Sequence, residues 1–218
     1  MPQDASTYSP ERSTAIHEAG HAVMAYLLAR PFITISVAED ATSYGRVVHH
    51  FPGKWFRPDI RINARTRAMI EDRVMICLAG AETEEAWWSR QAGVPEGWRE
   101  RLRDGVRTDK LAAVDMAIYM CGDSAPEVDA YVEWLRQRVL GFTGRGLDFD
   151  VAAFYRDPPP SVVLQYREGS DRFWPLVLAL AEAVLSAGTL SWTQARDILR
   201  EADPVIAAPG TNWRPSVE

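Results

Sequence analysis

Apolar residues recur at helical intervals along most of the chain, and the one clear change of rhythm comes early. Ser9-Pro10-Glu11 has the marks of a helix start: a capping hydroxyl, a proline at the first helical position and an acid in the first turn. The helix it opens is predicted to run to about Ala29 and to stop before Pro31. Phe32 to Val37 then alternates apolar and polar, and a polar turn from Asp40 to Gly45 leads back through Arg46-Val47-Val48-His49-His50, which reads as a β-hairpin.

Beyond Pro52 and Pro58 the helical period returns. Ile70, Val74, Cys77, Leu78 and Ala81 share a face, predicting a helix over about 63–88. Ser89 to Arg107, dense in charge and interrupted by Gly and Pro, reads as a loop or short irregular helix. A new helix is expected near Thr108-Asp109, with Leu111, Val114, Ile118 and Cys121 aligned, and another over about 126–140. Gly141 to Asp171, with its Pro158-Pro159-Pro160 run, receives no assignment. From Asp171 the period resumes through Phe173, Val177, Leu180 and Val184. A last helix opens at Ser191, where Gln194 completes a capping-box spacing. The expected fold is mainly α (α+β): one domain over residues 1–203 with a small antiparallel hairpin or sheet, then a poorly ordered tail over 204–218.

Composition narrows the function classes. The 218 residues are 47% apolar and 25% charged, as expected for a globular chain, with a formal net charge of −6. An acidic protein lacks the basic face that phosphate backbones require, so nucleic acid is not the expected partner. Two cysteines, Cys77 and Cys121, sit in apolar stretches without CxxC spacing, which points to buried reduced thiols. The apolar run Trp174 to Gly188 is broken by Glu182 and too short for a bilayer, and the first ten residues do not resemble a leader. A cytoplasmic location, off the membrane, is the expectation.

The chemistry is concentrated in His17-Glu18-Ala19-Gly20-His21. Histidines four apart in a helix project from one face, a turn apart, and both reach one metal ion. Glu18 stands beside them as a general base for a water activated by zinc. Small Ala19 and Gly20 permit close approach of another segment. A catalytic zinc takes three protein ligands. The metzincin extension is absent, since Met24 and Leu27 stand where glycine and histidine would be needed. The spacing leaves several third ligands open: His49 or His50 from the returning strand, an acid among Glu82, Glu84 and Glu85, or Asp109, which would otherwise cap a helix start.

Taken in order, the segments resemble the peptidase domain of the FtsH-type ATP-dependent zinc proteases. Ile16-His17-Glu18-Ala19-Gly20-His21-Ala22 is similar to that family's opening motif, and Ile33-Thr34-Ile35 to Gly45 to the hairpin after it. Leu78-Ala79-Gly80 with Glu84-Glu85 resembles its "LAG…AEE" helix. Thr108-Asp109, followed by Ala113 and Ala117, resembles the segment that supplies the third zinc ligand. Ala181 to Ile198, with Gly188-Thr189-Leu190, resembles its final helix pair. The resemblance spans about 13–202.

It implies a zinc metalloendopeptidase in which His17, His21 and Asp109 hold Zn2+ and Glu18 is the catalytic base. Ala81 replaces the family's arginine, Trp87 to Arg107 is unlike it, and 141–171 has no counterpart. The family's ATPase module and membrane spans are missing here. The expected substrate is therefore a peptide or unfolded protein cut without ATP, with a homo-oligomer or a separate ATPase as further partners. The alternative is a zinc-stabilised, non-catalytic interaction module of the same fold.

Overall fold

The computed structural model describes residues 9–38, 45–50, 52–91, 97–144 and 160–204. Among these it has six helices and three short strands: α1 Pro10–Leu27, β1 Phe32–Ser36, β2 Arg46–His49, α2 Ala64–Trp88, α3 Trp98–Cys121, α4 Ala125–Thr143, α5 Pro160–Ala187, β3 Thr189–Ser191 and α6 Trp192–Ala202. The mainly α (α+β) expectation is met. The tail over 205–218 lies outside the described residues.

Helix α1 is the centre of the molecule. Ser9 caps it by accepting from the Arg12 amide, with Pro10 as its first residue. Ala15, Ala19, Ala22, Val23, Met24 and Ala25 are fully buried, covering the helix on nearly all sides. That is possible because α2, α5 and the sheet all pack on it. The chain leaves α1 through Ala29 in the left-handed region, φ 54°, while the Arg30 amide bonds back to the Ala25 carbonyl. The helix thus ends two residues before the predicted stop.

The sheet is antiparallel in the order β2-β1-β3. Ile35 of β1 pairs with Val47 on one side and Leu190 on the other. The third strand is an addition to the predicted hairpin. Three residues are too few to show an alternation, so only the pairing reveals it. Strand β1 is central, leaving β2 and β3 as edges.

Two helices start earlier than expected. Helix α3 begins at Trp98, not near Thr108, so residues 98–107 of the segment read as a loop or short irregular helix belong to one long helix. Arginine, glutamate and leucine are good helix formers, and a charged stretch shows no apolar period to announce itself. Helix α5 begins at Pro160 and carries Pro175 within it. The capping box at Ser191 is present in both halves, Ser191 Oγ accepting from the Gln194 amide and the Gln194 side chain accepting from the Ser191 amide.

Where the predicted domain ends, Asp203 is fully buried. It takes a two-pronged ion pair from Arg172 of α5, at 2.6 and 2.9 Å, and a hydrogen bond from the Tyr26 hydroxyl of α1. The end of α6 is thereby tied to two other helices. Both cysteines are free and half-buried, so the buried-thiol expectation holds only in part. No helix among the described residues is long and apolar enough to cross a membrane.

Candidate metal centre

Helices α1 and α2 cross closely because Gly20 offers no side chain at the contact. A Cβ there would lie 2.8 Å from the Ala79 carbonyl oxygen and 2.6 Å from the Thr83 hydroxyl. The crossing sets His17 and His21 against the small stretch Ala79-Gly80, their rings edge to face with centroids 4.8 Å apart. Gly80 is as tightly constrained. A Cβ on it would stand 2.3 Å from His21 Nε2 and 2.7 Å from His17 Nε2. On the far side, α3 brings Asp109 in on a face whose next members, Ala113 and Ala117, are fully buried.

Three donor atoms meet there. His17 Nε2 is 2.9 Å from Asp109 Oδ2, His21 Nε2 is 3.2 Å from the same oxygen, and the two Nε2 atoms are 3.1 Å apart. Among the described residues, His17, His21 and Asp109 form a cluster able to hold a metal ion. A tetrahedral ion with bonds of about 2.0–2.1 Å keeps its donors about 3.3–3.4 Å apart, so these three already outline one face of such a site.

The other ring nitrogens explain why this arrangement calls for a cation. His21 Nδ1 donates to the Ile76 carbonyl at 2.6 Å, and a carbonyl can only accept. His17 Nδ1 donates to Glu84 Oε2 at 2.9 Å. With both N–H groups used there, the neutral imidazoles turn bare lone pairs at each other and at a carboxylate oxygen. Three acceptors facing one another repel unless a positive charge sits among them. Burial works to lower both histidines, yet Asp109, with Glu84 also hydrogen-bonded to His17, holds them above the ordinary imidazole range, His17 the more strongly. Burial pushes Asp109 up, but His21 and His17 outweigh it and hold the carboxyl well below its usual range. A set of two imidazoles and a carboxylate is one that zinc accepts.

Glu18 is itself buried, and the chain entering β2 passes against it. A Cβ on Gly45, just ahead of that strand, would lie 2.9 Å from Glu18 Cγ. Burial raises its carboxyl above the ordinary range, and the charges of His21 and His17 offset only part of that rise.

Behind the ligands a hydrogen-bonded chain reaches into the α1–α2 contact. Trp88 Nε1 donates to Ser13 Oγ at 2.8 Å, Ser13 donates to Glu84 Oε1, and Glu84 Oε2 receives His17 Nδ1. A carboxylate so placed fixes the ring's tautomer and orientation and raises its basicity toward a metal.

The structure therefore separates the third-ligand alternatives. Asp109 joins the histidines and lies deep inside α3, so it is not a helix-start cap. Glu84 stands behind His17, and Glu82 pairs with Arg136 of α4. Glu85, His49 and His50 lie outside the cluster; His49 packs edge-on against Phe32 and His50 is exposed. Ser13 and Trp88 went unremarked in the sequence, although a signal was there. Ser13, His17 and His21 form one i, i+4 row on α1, and Gly80, Glu84 and Trp88 another on α2. Compared with known proteins, the chain matches no family model and no curated sequence.

Proposed function

We propose that this chain is a zinc-dependent endopeptidase, related in plan to the peptidase domain of the FtsH-type proteases. The observation that carries the reading is the convergence of His17 Nε2, His21 Nε2 and Asp109 Oδ2 within 2.9–3.2 Å of one another, with both Nδ1 atoms hydrogen-bonded elsewhere and the buried Glu18 next in sequence to His17. A structural zinc has no use for a neighbouring buried base.

When bound, zinc would act as a Lewis acid and bring the pKa of a coordinated water towards neutrality. Glu18 accepts the proton of the attacking water and passes it to the leaving amine. Its raised carboxyl pKa suits both halves of that cycle. Glu84 holds His17 in the tautomer that leaves Nε2 free, and the Ile76 carbonyl does the same for His21. Gly45, at the entry to β2, borders the base, and β2 is an edge of the sheet, so an extended substrate segment can add alongside it. Nothing in the 218 residues matches a phosphate-binding loop, and a stable fold resists opening by about 5–15 kcal/mol. The substrates of this chain acting by itself are therefore flexible segments and unfolded proteins.

The test is metal analysis coupled to a generic peptidase assay. The protein should hold about one zinc per chain, lose it in His17→Ala, His21→Ala and Asp109→Ala, and cut an unfolded protein without ATP. Glu18→Gln should keep the zinc and lose nearly all turnover. Full zinc retention in the ligand variants refutes the site. Equal turnover in Glu18→Gln removes the base, and zinc without turnover in the unaltered protein leaves the non-catalytic module.

A further inference from the structure

The segment that leads into α2 departs from the rest of the chain in both charge and exposure. From Pro52 to Arg67 it carries five cations, Lys54, Arg57, Arg61, Arg65 and Arg67, against the single acid Asp59. That is a formal +4 in a chain that totals −6, which leaves −10 for the remainder. The same segment holds Trp55, Ile60 and Ile62, which are 38%, 69% and 40% exposed. They are three of the eight large apolar side chains exposed among the described residues, a concentration too high for scattered surface positions.

Local bonds hold this segment in shape. The Phe56 amide donates to the Gly53 carbonyl at 2.9 Å, and the Ile60 and Arg61 amides both donate to the Arg57 carbonyl, at 3.1 and 3.0 Å. Asn63 accepts from the Thr66 amide at 2.9 Å and caps α2. Phe56 packs against the core, whereas Trp55 is exposed, and the Arg65 guanidinium lies over its indole, 3.9 Å from the ring centroid. That contact closes residues 56–64 into a loop with Ile60, the most exposed of the three, midway along it. Arg57 pairs with Asp59 and Arg67 with Glu71, which leaves Lys54, Arg61 and Arg65 without a carboxylate among the described residues.

We infer that this loop docks the protein onto a membrane surface bearing anionic lipids, with Ile60, Ile62 and Trp55 entering the headgroup region and Lys54, Arg61 and Arg65 meeting lipid phosphates. The expectation of a location off the membrane rests on the want of a spanning run, and contact with a bilayer surface needs none. A side chain left 69% exposed at the middle of a loop projects outward, which is poor footing for a shape-matched protein partner. A fluid interface accepts separate apolar tips, and binding to it grows with buried apolar area and with attraction to anionic lipid. Tryptophan suits the headgroup level, where its ring is covered and its N–H stays wet. The acidic remainder of the chain does not forbid the contact, because at physiological salt charges act over about 8 Å and the touching surface decides. Gly80 lies sixteen residues along α2 from Ala64, about 24 Å at the α-helical rise, so docking involves neither the metal centre nor turnover.

The experiment floats the full chain with phosphatidylcholine vesicles, with and without a third of phosphatidylglycerol. The anionic vesicles alone should carry the protein, and less of it as salt is raised. Lys54→Gln with Arg61→Gln should weaken binding about 25-fold, about fivefold for each cation. Ile60→Ser with Ile62→Ser, at unchanged charge, should weaken it at least about tenfold. Brominated lipid should quench part of the tryptophan emission of the unaltered protein, and Trp55→Phe should still bind but lose that quenching. All five altered side chains are exposed, and equal thermal melts certify the fold. Should the double serine variant melt early, Ile60→Ser by itself carries the apolar arm. Equal binding to neutral vesicles, no binding to anionic ones, full binding by the isoleucine variant, or quenching that persists in Trp55→Phe overturns the docking loop. Poly-glutamate is the competitor: if it binds through Lys54 and Arg61 while the vesicles do not, the loop meets an acidic protein segment and the membrane assignment falls.

Discussion

Adding one methyl group at Gly80 tests the geometry of the centre more sharply than deleting a ligand does. In Gly80→Ala the new Cβ would sit 2.3 Å from His21 Nε2, 2.6 Å from its Cε1 and 2.7 Å from His17 Nε2, where ordinary contact begins at 3.4 Å. Relief needs a displacement of about 1 Å, several times the roughly 0.2 Å that a metal–ligand distance tolerates. Two terms act on stability. Alanine gains about 0.5–1 kcal/mol over glycine inside a helix, while overpacking costs about 1–3 kcal/mol. The metal-free variant should therefore stay folded, destabilised by at most about 2.5 kcal/mol. Metal affinity should fall by at least about a hundredfold, near 3 kcal/mol. Chelator competition measures the affinity. Thermal melts with and without added zinc give a second readout, because a metal at about 100 times its Kd stabilises the folded state by about 2.7 kcal/mol, a gain the variant should lack. Gly53→Ala is the control, since its Cβ would meet only the side chain of Trp55 at 3.2 Å or more. Affinity in Gly80→Ala within threefold of the unaltered protein would refute the close-approach reasoning.

Three further outcomes follow from particular contacts. Ser13→Ala removes the hydroxyl that links Trp88 to Glu84 and should weaken zinc binding by about 10-fold without unfolding the protein, as chelator competition would show; unchanged affinity would mean that Glu84 needs no such support. Arg172→Met removes the guanidinium paired with the buried Asp203 and should cost about 3–5 kcal/mol in urea unfolding, whereas a loss below 1 kcal/mol would show the pair to be dispensable. Burial first, and the Arg73 charge second, depress His49 from 6.5 to about 3. The unfolded chain then binds a proton that the folded chain refuses, so this contribution is intact above pH 6.5 and is lost as pH falls towards 3, at up to about 1.4 kcal/mol per pH unit. In metal-free protein His49→Gln should flatten the decline in stability between pH 6.5 and 5, and equal slopes would contradict it.

Much was legible from local order alone. Ser9-Pro10-Glu11 and Ser191-Gln194 announce helix starts through bonds made within one turn, and both are formed as read. His17 and His21 share a face because any α-helix places i and i+4 together, whatever packs on it. Local signals failed where the deciding contacts are distant. Residues 98–107 show no apolar period, and their helix is visible only once α3 is seen whole. Thr189 to Ser191 form a strand because β1 offers an unpaired edge, not because three residues prefer to be extended. The chain offered Asp109, Glu84 and His49 as equivalent acids and bases, with resemblance as the one guide among them. Only the crossing of α1 and α2 at Gly20 and Gly80, and the approach of α3 on Ala113 and Ala117, set Asp109 beside the two Nε2 atoms and Glu84 behind His17. A helix dictates the spacing of its own side chains, but which distant carboxylate comes within 3 Å is decided by how closely the helices pack, and that depends on small residues scattered over three segments.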